Sequence, residues 1–187
     1  MKFLVMGSAP YMRDWTRKHL GWFWEEGYCI SAINNSWCLC PYDFTWHRSR
    51  DFFEAGTRIP TKKQILGVTT IVHKTRNKHG HLYLRYKKNQ RGSMLFSTIY
   101  WILQTKPQAT DIVVIGSDFV YGDVLSFYSR DRTSKARNDP FLRYSKKEII
   151  QELSHTMKIA EEKSVSLWNA SKETESFLPY ERFLDYV

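Results

Sequence analysis

The sequence predicts a Rossmann-like α/β domain of three layers, in which helices cover both faces of a mainly parallel β-sheet, with a small lid or insertion. Two observations lead to this prediction. Strand-like segments alternate with helix-like segments along the chain, which is the order that a parallel sheet requires. Some strand candidates are short apolar runs without alternation, as in strands buried on both faces. With 187 residues, 42% of them hydrophobic, we expect residues 1–187 to form a single domain.

The first third of the chain contains three strand candidates. Lys2–Met6 is a short apolar strand, and residues 11–26, which carry bulky apolar side chains among charges, predict a helix that ends at a glycine. Tyr28–Ile33 predicts a second strand, and Asp43–Trp46 predicts a short third one. Ser49–Ala55 predicts a helical turn after it.

The central part of the chain adds two strands and one helix. Gln64–Val72 is rich in β-branched residues and predicts a strand. Residues 73–91 are polar and basic, and we interpret them as a basic insertion, either a hairpin or a mobile segment. Ser93–Gln104 is apolar and predicts a helix that is buried on much of its surface. Asp111–Ile115 is a continuous apolar run of the kind found in parallel sheets.

The last part of the chain completes the alternation. Residues 121–143 are rich in Ser, Asp and Arg and predict a long lid loop, since long loops in compact domains are often functional. Lys146–Glu162 has apolar residues at helical spacing and predicts an amphipathic helix. Val165–Trp168 predicts a final strand.

The charge of the chain is uneven. The net charge is +9, and no acidic residue occurs between Glu54 and Asp111, an interval with eleven Lys or Arg residues. The basic stretch at residues 58–91 therefore predicts a face with positive potential. It would contact the phosphates of a nucleotide or nucleic acid, or an anionic glycan or lipid. The alternative is a solvated basic surface that aids solubility.

Several features indicate a cytoplasmic protein. The sequence has no apolar run of 18 residues, and its apolar start is broken at Gly7 and followed by charges, which favours a first strand over a signal peptide. The three cysteines, Cys29, Cys38 and Cys40, form no CxxC pair, so we expect free thiols in a reducing compartment. The high aromatic content is compatible with a homo-oligomer.

Small and polar residues follow three of the strand candidates. These residues are Gly7, Ser8, Ala9 and Pro10 after the first strand, Asn34 and Asn35 after the second, and Gly116, Ser117 and Asp118 after the central one. Ligands of open α/β sheets bind outside the carboxyl ends of the strands. Free backbone amides at the first turn suit a phosphate, and asparagine side chains suit a ribose or a base edge. The alternative is ordinary turn chemistry at each place.

The order of these motifs resembles a known family. The chain reads Gly7-Ser8-Ala9-Pro10, then Ile33-Asn34-Asn35, then Asn89–Ser93 ahead of an apolar helix, and then VVIGSDF at residues 113–119. Near the end it reads Asn-x-Ser-x(4)-Ser from Asn169. This order is similar to that of the bacterial Rossmann-type sialyltransferases of lipooligosaccharide synthesis. It also resembles a wider set of proteins with the same core, including archaeal pterin diphosphokinase-like proteins.

The resemblance spans Phe3 to about Pro179 and implies roles for individual residues. Gly7, Ser8, Ala9 and Pro10 would hold the nucleotide phosphates, and Asn34 would contact the nucleotide. His47 falls near the place of a family asparagine that contacts the substrate.

The resemblance also implies roles on the carboxyl side of the basic insertion. Arg91 and Ser93 match the family's Arg-x-x-Ser loosely, and Gly116-Ser117-Asp118 with Phe119 match its Gly-x-Asp-Phe. Tyr121 and Tyr128 are the nearest counterparts of two lid tyrosines that steady the departing phosphate.

The chain departs from the family at the catalytic base. The family has a histidine followed by Ser-Lys ahead of the last helix, whereas this chain has Tyr144 there. With an unperturbed pKa near 10, tyrosine is a poor base at neutral pH. Three candidates for the base therefore stay open: Tyr144, His47 and Asp118.

Two functions from different classes follow. The first is a nucleotide-sugar-dependent glycosyltransferase, whose sugar donor is a substrate and whose acceptor is an anionic glycan or a nucleic acid held by the basic stretch. The second is a non-catalytic nucleotide- or nucleic-acid-binding module on the same core. Diphosphate transfer is a third option and would require magnesium, for which Asp118 alone is thin support. We expect no permanently bound cofactor and no metal.

Overall fold

The computed structural model describes residues 1–9, 11–12, 17–40, 43–49, 67–73, 94–117, 146–171 and 179–183. These residues form a seven-stranded sheet in which every pair of neighbouring strands is parallel. The strands are β1 (Lys2–Met6), β2 (Tyr28–Ile33), β3 (Phe44–Ser49), β4 (Thr69–His73), β5 (Asp111–Ile115), β6 (Ser166–Asn169) and β7 (Glu181–Arg182). The helices are α1 (Arg17–Glu25), α2 (Met94–Thr105) and α3 (Lys146–Glu162), and a 3-10 helix spans Asn34–Leu39.

The strand order is β4-β3-β2-β1-β5-β6-β7. It runs backwards through the chain from β4 to β1 and forwards from β5 to β7. The order therefore reverses between β1 and β5, whose register pairs Lys2 with Asp111 and Met6 with Ile115. In open α/β sheets such a reversal opens a crevice at the carboxyl ends of the two strands, where ligands bind.

Two hydrophobic layers cover the sheet. Phe3 and Val5 of β1 pack with the buried side chains of α2 and α3 on one face, in a cluster that includes Ile99 and Leu153. The alternate residues of β1, Leu4 and Met6, pack on the other face in the cluster of α1 side chains. Because side chains of a strand alternate between faces, a strand covered on both faces must be apolar throughout. The predicted three-layer Rossmann-like fold is confirmed.

Most predicted elements are present with shifted ends. Helix α1 is described from Arg17, β3 extends to Ser49 and so excludes a helical turn starting there, and β4 begins at Thr69 rather than Gln64. Gly67, with a φ of 82°, precedes β4 in a turn. The segment interpreted as a basic insertion starts inside the sheet, since His73 is the last residue of β4.

The remainder of that insertion and the lid at residues 121–143 lie outside the described residues. No helix in the described part of the chain is both long enough and apolar enough to cross a membrane.

Candidate functional site

The exits of β1 and β5 are tied together by backbone hydrogen bonds. The Gly7 amide donates to the Ile115 carbonyl over 2.7 Å, and the Ala9 amide donates to the Gly116 carbonyl over 2.9 Å. The Gly116 amide in turn donates to the Tyr11 hydroxyl over 2.9 Å. The expectation of free amides at the first turn is therefore wrong for Gly7 and Ala9, because the neighbouring loop uses them.

This loop contact explains both glycines. A Cβ atom on Gly7 would lie 2.0 Å from the Gly116 carbonyl oxygen and 2.0 Å from the Ser117 hydroxyl oxygen. Gly116 has a φ of 70°, and a Cβ atom there would lie 2.9 Å from the Gly7 oxygen. The glycines are thus required by the packing of one loop on the other. Ser8 and Ser117 are the partly exposed polar residues at this place.

The 3-10 helix after β2 is anchored at the same edge of the sheet. Asn34 starts it with a φ of 48°, a left-handed conformation that asparagine adopts more readily than most residues. The buried Ser36 hydroxyl lies 2.8 Å from the Met6 carbonyl oxygen and 2.9 Å from that of Ile33, and it donates to this pair. Because Met6 directly precedes Gly7, the bond holds the asparagine pair beside the exit of β1.

Two buried residues of this helix, Trp37 and Asn35, have unpaired side-chain polar atoms among the described residues, and both amide atoms are unpaired in Asn35. Its exposed fraction is 0%, and neither its side-chain oxygen nor its side-chain nitrogen has a hydrogen-bond partner among the described residues. Burial of an unpaired amide costs about 1–3 kcal/mol. Native proteins satisfy most buried polar groups, so each exception calls for a cause. A ligand with adjacent donor and acceptor groups would satisfy both amide atoms.

His47 forms a buried pair with a second histidine, His73. His47 Nδ1 lies 2.9 Å from His73 Nε2, the ring planes differ by 22°, and the exposed fractions are 0% and 1%. Burial lowers the pKa of His47 well below its usual range, and His73 lowers it further. Burial lowers the pKa of His73 to about 4. Both rings are therefore neutral at neutral pH, and one donates to the other.

The described candidates thus meet along one edge of the sheet. Gly7, Ser8, Ala9, Gly116 and Ser117 line the β1–β5 switch point, and Asn34 and Asn35 lie at the exit of β2. His47 is in register with Ile33, the last residue of β2, and so lies one strand further out. The candidates Pro10, Arg91, Ser93, Asp118, Tyr121, Tyr128 and Tyr144 lie outside the described residues.

Two site residues were missed in the sequence. Ser36, the third residue after β2, gave no sequence signal for the hydrogen bonds that it donates to the Met6 and Ile33 carbonyls. His73 was assigned to the basic insertion. The β-branched run before it was a signal that β4 continues to this residue and pairs with β3.

The cysteines and carboxylates build no metal centre in the part of the chain that the structure describes. No group of three or more His, Cys, Asp or Glu side chains there could hold a metal ion. The three cysteines form no disulfide with one another, and burial raises the pKa of Cys40, which keeps it a thiol.

At the switch point the sheet edge has a tight contact between two glycines and two partly exposed hydroxyls, and the neighbouring exit of β2 has a buried amide without a partner among the described residues. Such a site can bind a small polar ligand, and a paired neutral imidazole lies one strand away. No protein-family model, curated protein or solved structure matches the chain.

Proposed function

We propose that this chain binds a nucleotide at the carboxyl edge beside the β1–β5 switch point and acts as a nucleotide-sugar-dependent glycosyltransferase. The observation that carries the binding step is the buried, unpaired carboxamide of Asn35. The transfer step rests on the resemblance to Rossmann-type sialyltransferases.

The position of Asn35 supports a nucleotide over an ion. A carboxamide offers two donors and two acceptor sites in one plane, which matches a base edge or a pair of ribose hydroxyls. An isolated phosphate would leave the amide oxygen unsatisfied, because phosphate groups offer mainly acceptors. The hydroxyls of Ser8 and Ser117, at the neighbouring strand exits, would bind the phosphates.

Different residues that the sequence predicts to lie at the site would carry out the separate steps of the transfer. Arg91, Tyr121 and Tyr128 would stabilise the charge on the departing phosphate, which is electrostatic stabilisation of the leaving group. A base, either Tyr144, Asp118 or His47, would take the proton of the acceptor hydroxyl. The acceptor would be an anionic glycan or a nucleic acid, bound through the basic stretch.

One observation favours the second function, a nucleotide- or nucleic-acid-binding module without transferase activity. Of the three candidate bases, His47 is the one within the described residues, and it is fully buried and paired with His73. A general base must come within hydrogen-bond reach of the proton that it removes.

The test is the substitution Asn35→Leu, which is close to isosteric and removes the amide. We expect nucleotide affinity to fall about 10-fold or more, because bonds to the ligand are lost. We expect the free protein to become no less stable, since an apolar side chain replaces an unpaired buried amide. Calorimetric titration with nucleotides and nucleotide sugars measures the first effect, and urea unfolding measures the second.

Asn169 supplies the matched control. It is also a buried asparagine at a strand exit, but its side-chain oxygen accepts the Ser171 amide over 2.8 Å. Asn169→Leu should therefore lower the free energy of unfolding by about 1–3 kcal/mol. If Asn35→Leu destabilises the free protein as much and leaves nucleotide affinity unchanged, Asn35 is a structural residue. A separate assay distinguishes the two functions. Hydrolysis of a bound nucleotide sugar would indicate the transferase, and binding without hydrolysis would indicate the binding module.

A further inference from the structure

Tyr11 reaches across the switch point from the β1 side to the exit of β5. Its hydroxyl oxygen lies 2.9 Å from the Gly116 amide nitrogen and accepts the hydrogen of that amide. The side chain is buried in the apolar layer that contains Leu20 and Phe23 of α1. A buried hydroxyl needs a polar partner, and a backbone amide of the neighbouring strand exit is one such partner here.

A short turn after β1 brings Tyr11 to this position. The Met12 amide donates to the Ala9 carbonyl over 3.0 Å, which folds the chain back soon after the strand. The same turn places the Met12 side chain beside Gly116, because a Cβ atom added to this glycine would lie 2.8 Å from Met12 Cγ. Tyr11 and Met12 therefore pack together against the β5 exit.

Gly116 is held through both of its peptide groups. Its amide donates to the Tyr11 hydroxyl, and its carbonyl accepts the Ala9 amide over 2.9 Å. The two groups belong to the peptide planes before and after the Gly116 Cα atom, so the two bonds together fix the rotation between these planes. That rotation includes the left-handed φ of 70°, and it sets the direction in which the chain continues into Ser117.

The Ser117 hydroxyl lies between the exits of β1 and β5. Its oxygen occupies the place of the absent Gly7 side chain, since a Cβ atom built on Gly7 would lie 2.0 Å from it. Ser117 is partly exposed, so its hydroxyl can reach a ligand in the crevice that opens at these two strand ends.

The direction of this hydroxyl matters for the ligand that it binds. A hydroxyl binds a phosphate by donating its hydrogen to a charged oxygen, and such a bond weakens steeply when its geometry is poor. A glycine next to the serine would by itself allow many backbone conformations. The bonds from Tyr11 and Ala9 remove this freedom and keep the Ser117 hydroxyl beside Gly7.

We propose that Tyr11 is a positioning residue, which holds Gly116 so that the Ser117 hydroxyl donates to a phosphate of the bound nucleotide. Tyr11 acts through the backbone and does not touch the ligand. The inference rests on the proposed function and assigns one group of the nucleotide to each strand exit. The β5 exit binds phosphate through Ser117, while the β2 exit binds the base or ribose through Asn35.

The experiment compares the affinities of the four common nucleosides with those of their 5′-diphosphates by calorimetry. Tyr11→Phe keeps the ring and removes the acceptor of the Gly116 amide. We expect it to lower affinity for the bound diphosphate about 5-fold or more and to leave affinity for the matching nucleoside unchanged. Ser117→Ala should lower diphosphate affinity about 10-fold or more, because the donor itself is lost. Equal losses for nucleoside and diphosphate in Tyr11→Phe would overturn the proposal.

A double-variant comparison separates positioning from a general loss of stability. Since Tyr11 acts through Ser117, Tyr11→Phe should have no further effect on diphosphate affinity in the Ser117→Ala chain and its full effect in a Ser8→Ala chain. An undiminished effect in the Ser117→Ala chain would overturn the proposal.

Tyr180→Phe is the matched control. It also removes a buried tyrosine hydroxyl, which lies 2.6 Å from the Thr156 hydroxyl, but in contact with α3 rather than the β5 exit. It should lower stability and leave diphosphate affinity unchanged. A selective loss of diphosphate affinity in Tyr180→Phe, as large as in Tyr11→Phe, would contradict the role of Tyr11.

Inorganic pyrophosphate gives a readout that needs no nucleotide. In NMR of the ¹⁵N-labelled full chain, the Ser117 amide signal should shift on titration with pyrophosphate, and Ser117→Ala should raise the concentration for half-saturation about 10-fold. The Ser117→Ala titration still decides the phosphate contact if Tyr11→Phe does not fold. A chain that binds no nucleotide but shows this shift contradicts the proposed function and retains the phosphate contact. A chain that binds nucleoside and diphosphate equally, with no shift at Ser117, retains nucleotide binding and overturns the inference.

Discussion

Gly7 and Gly116 lie where the chain has no room for a side chain. This explains why the turn after β1 contains a glycine without invoking a ligand. Their backbones are close enough that a Cβ atom on Gly7 would overlap the Gly116 carbonyl oxygen. A glycine after a first strand suggests a ligand approaching the backbone, but here the closely approaching group is another loop. The ligand hypothesis at this edge consequently depends on Asn35 and the flanking hydroxyls rather than on the glycines.

The substitution Gly7→Ala should be strongly destabilising. The clash involves backbone atoms, which cannot rotate away, so we expect a loss of about 3 kcal/mol in the free energy of unfolding. Gly27→Ala is the control, because Gly27 has a φ of 77° and nothing within 4 Å of the added atom. It should cost about 1–2 kcal/mol from backbone strain alone. Urea unfolding that gives equal losses for the two variants would contradict the close loop contact.

The roles of individual residues were also the feature that the sequence predicted least well. Asn34 and Asn35 could be placed at a strand exit from the sequence. Asparagine is favoured both in turns and in ligand contacts, so the sequence does not distinguish these two roles. Only burial separates them, because an exposed asparagine needs no partner and a fully buried one does. His73 could not be joined to His47 from the sequence, since the two are paired through the register of β3 and β4.

At the scale of elements, predictability followed the strength of the hydrophobic pattern. The apolar runs of β1 and β5 were placed correctly because a five-residue apolar run is too short for a helix and suits a strand that is buried on both faces. The 3-10 helix after β2 was not predicted, since its sequence, NNSWCL, has no helical period and is held by the Ser36 bonds. The two-residue strand β7 has too few residues for any pattern.

Helix α3 is tied to the segment before β7 by one buried hydrogen-bond chain. The Thr156 hydroxyl donates to the Leu153 carbonyl over 2.6 Å, so the Tyr180 hydroxyl, 2.6 Å away, must donate to Thr156. Burial raises the pKa of Tyr180, which keeps this hydroxyl protonated. Tyr180→Phe should thus lower the free energy of unfolding by about 1 kcal/mol, because Thr156 keeps its other bond.

The partner substitution checks this assignment. Thr156→Val leaves the Tyr180 hydroxyl buried without its acceptor and should cost more, about 1–3 kcal/mol. Since the two residues share one bond, the double variant should lose less than the sum of the single losses. Additive losses in chemical unfolding would show that the two hydroxyls contribute independently.

For the whole molecule, the fold was more predictable than the ligand. Three features imply a parallel sheet with a layer of helices on each face: the alternation of strands and helices, the length of a single domain and the apolar strands. Few topologies satisfy all three features. The identity of the ligand is set by a few side chains at the carboxyl edge, which the overall pattern of the sequence does not reveal. The distribution of charge is a second whole-molecule property that bears on the ligand. A net charge of +9, with the basic stretch at residues 58–91, predicts a face with positive potential.

Reversing the charge of Lys87 and Lys88 separates a polyanion from a mononucleotide. Lys87→Glu with Lys88→Glu should weaken binding to short DNA or an anionic glycan and, if both lysines contact DNA phosphates, lower the salt dependence by about two counter-ions. Mononucleotide affinity should be unchanged. The pair Lys146→Glu and Lys147→Glu changes the net charge equally outside the stretch and should affect DNA binding less. Calorimetry at two salt concentrations measures both ligands, and equal loss of both would place the basic stretch on the nucleotide itself.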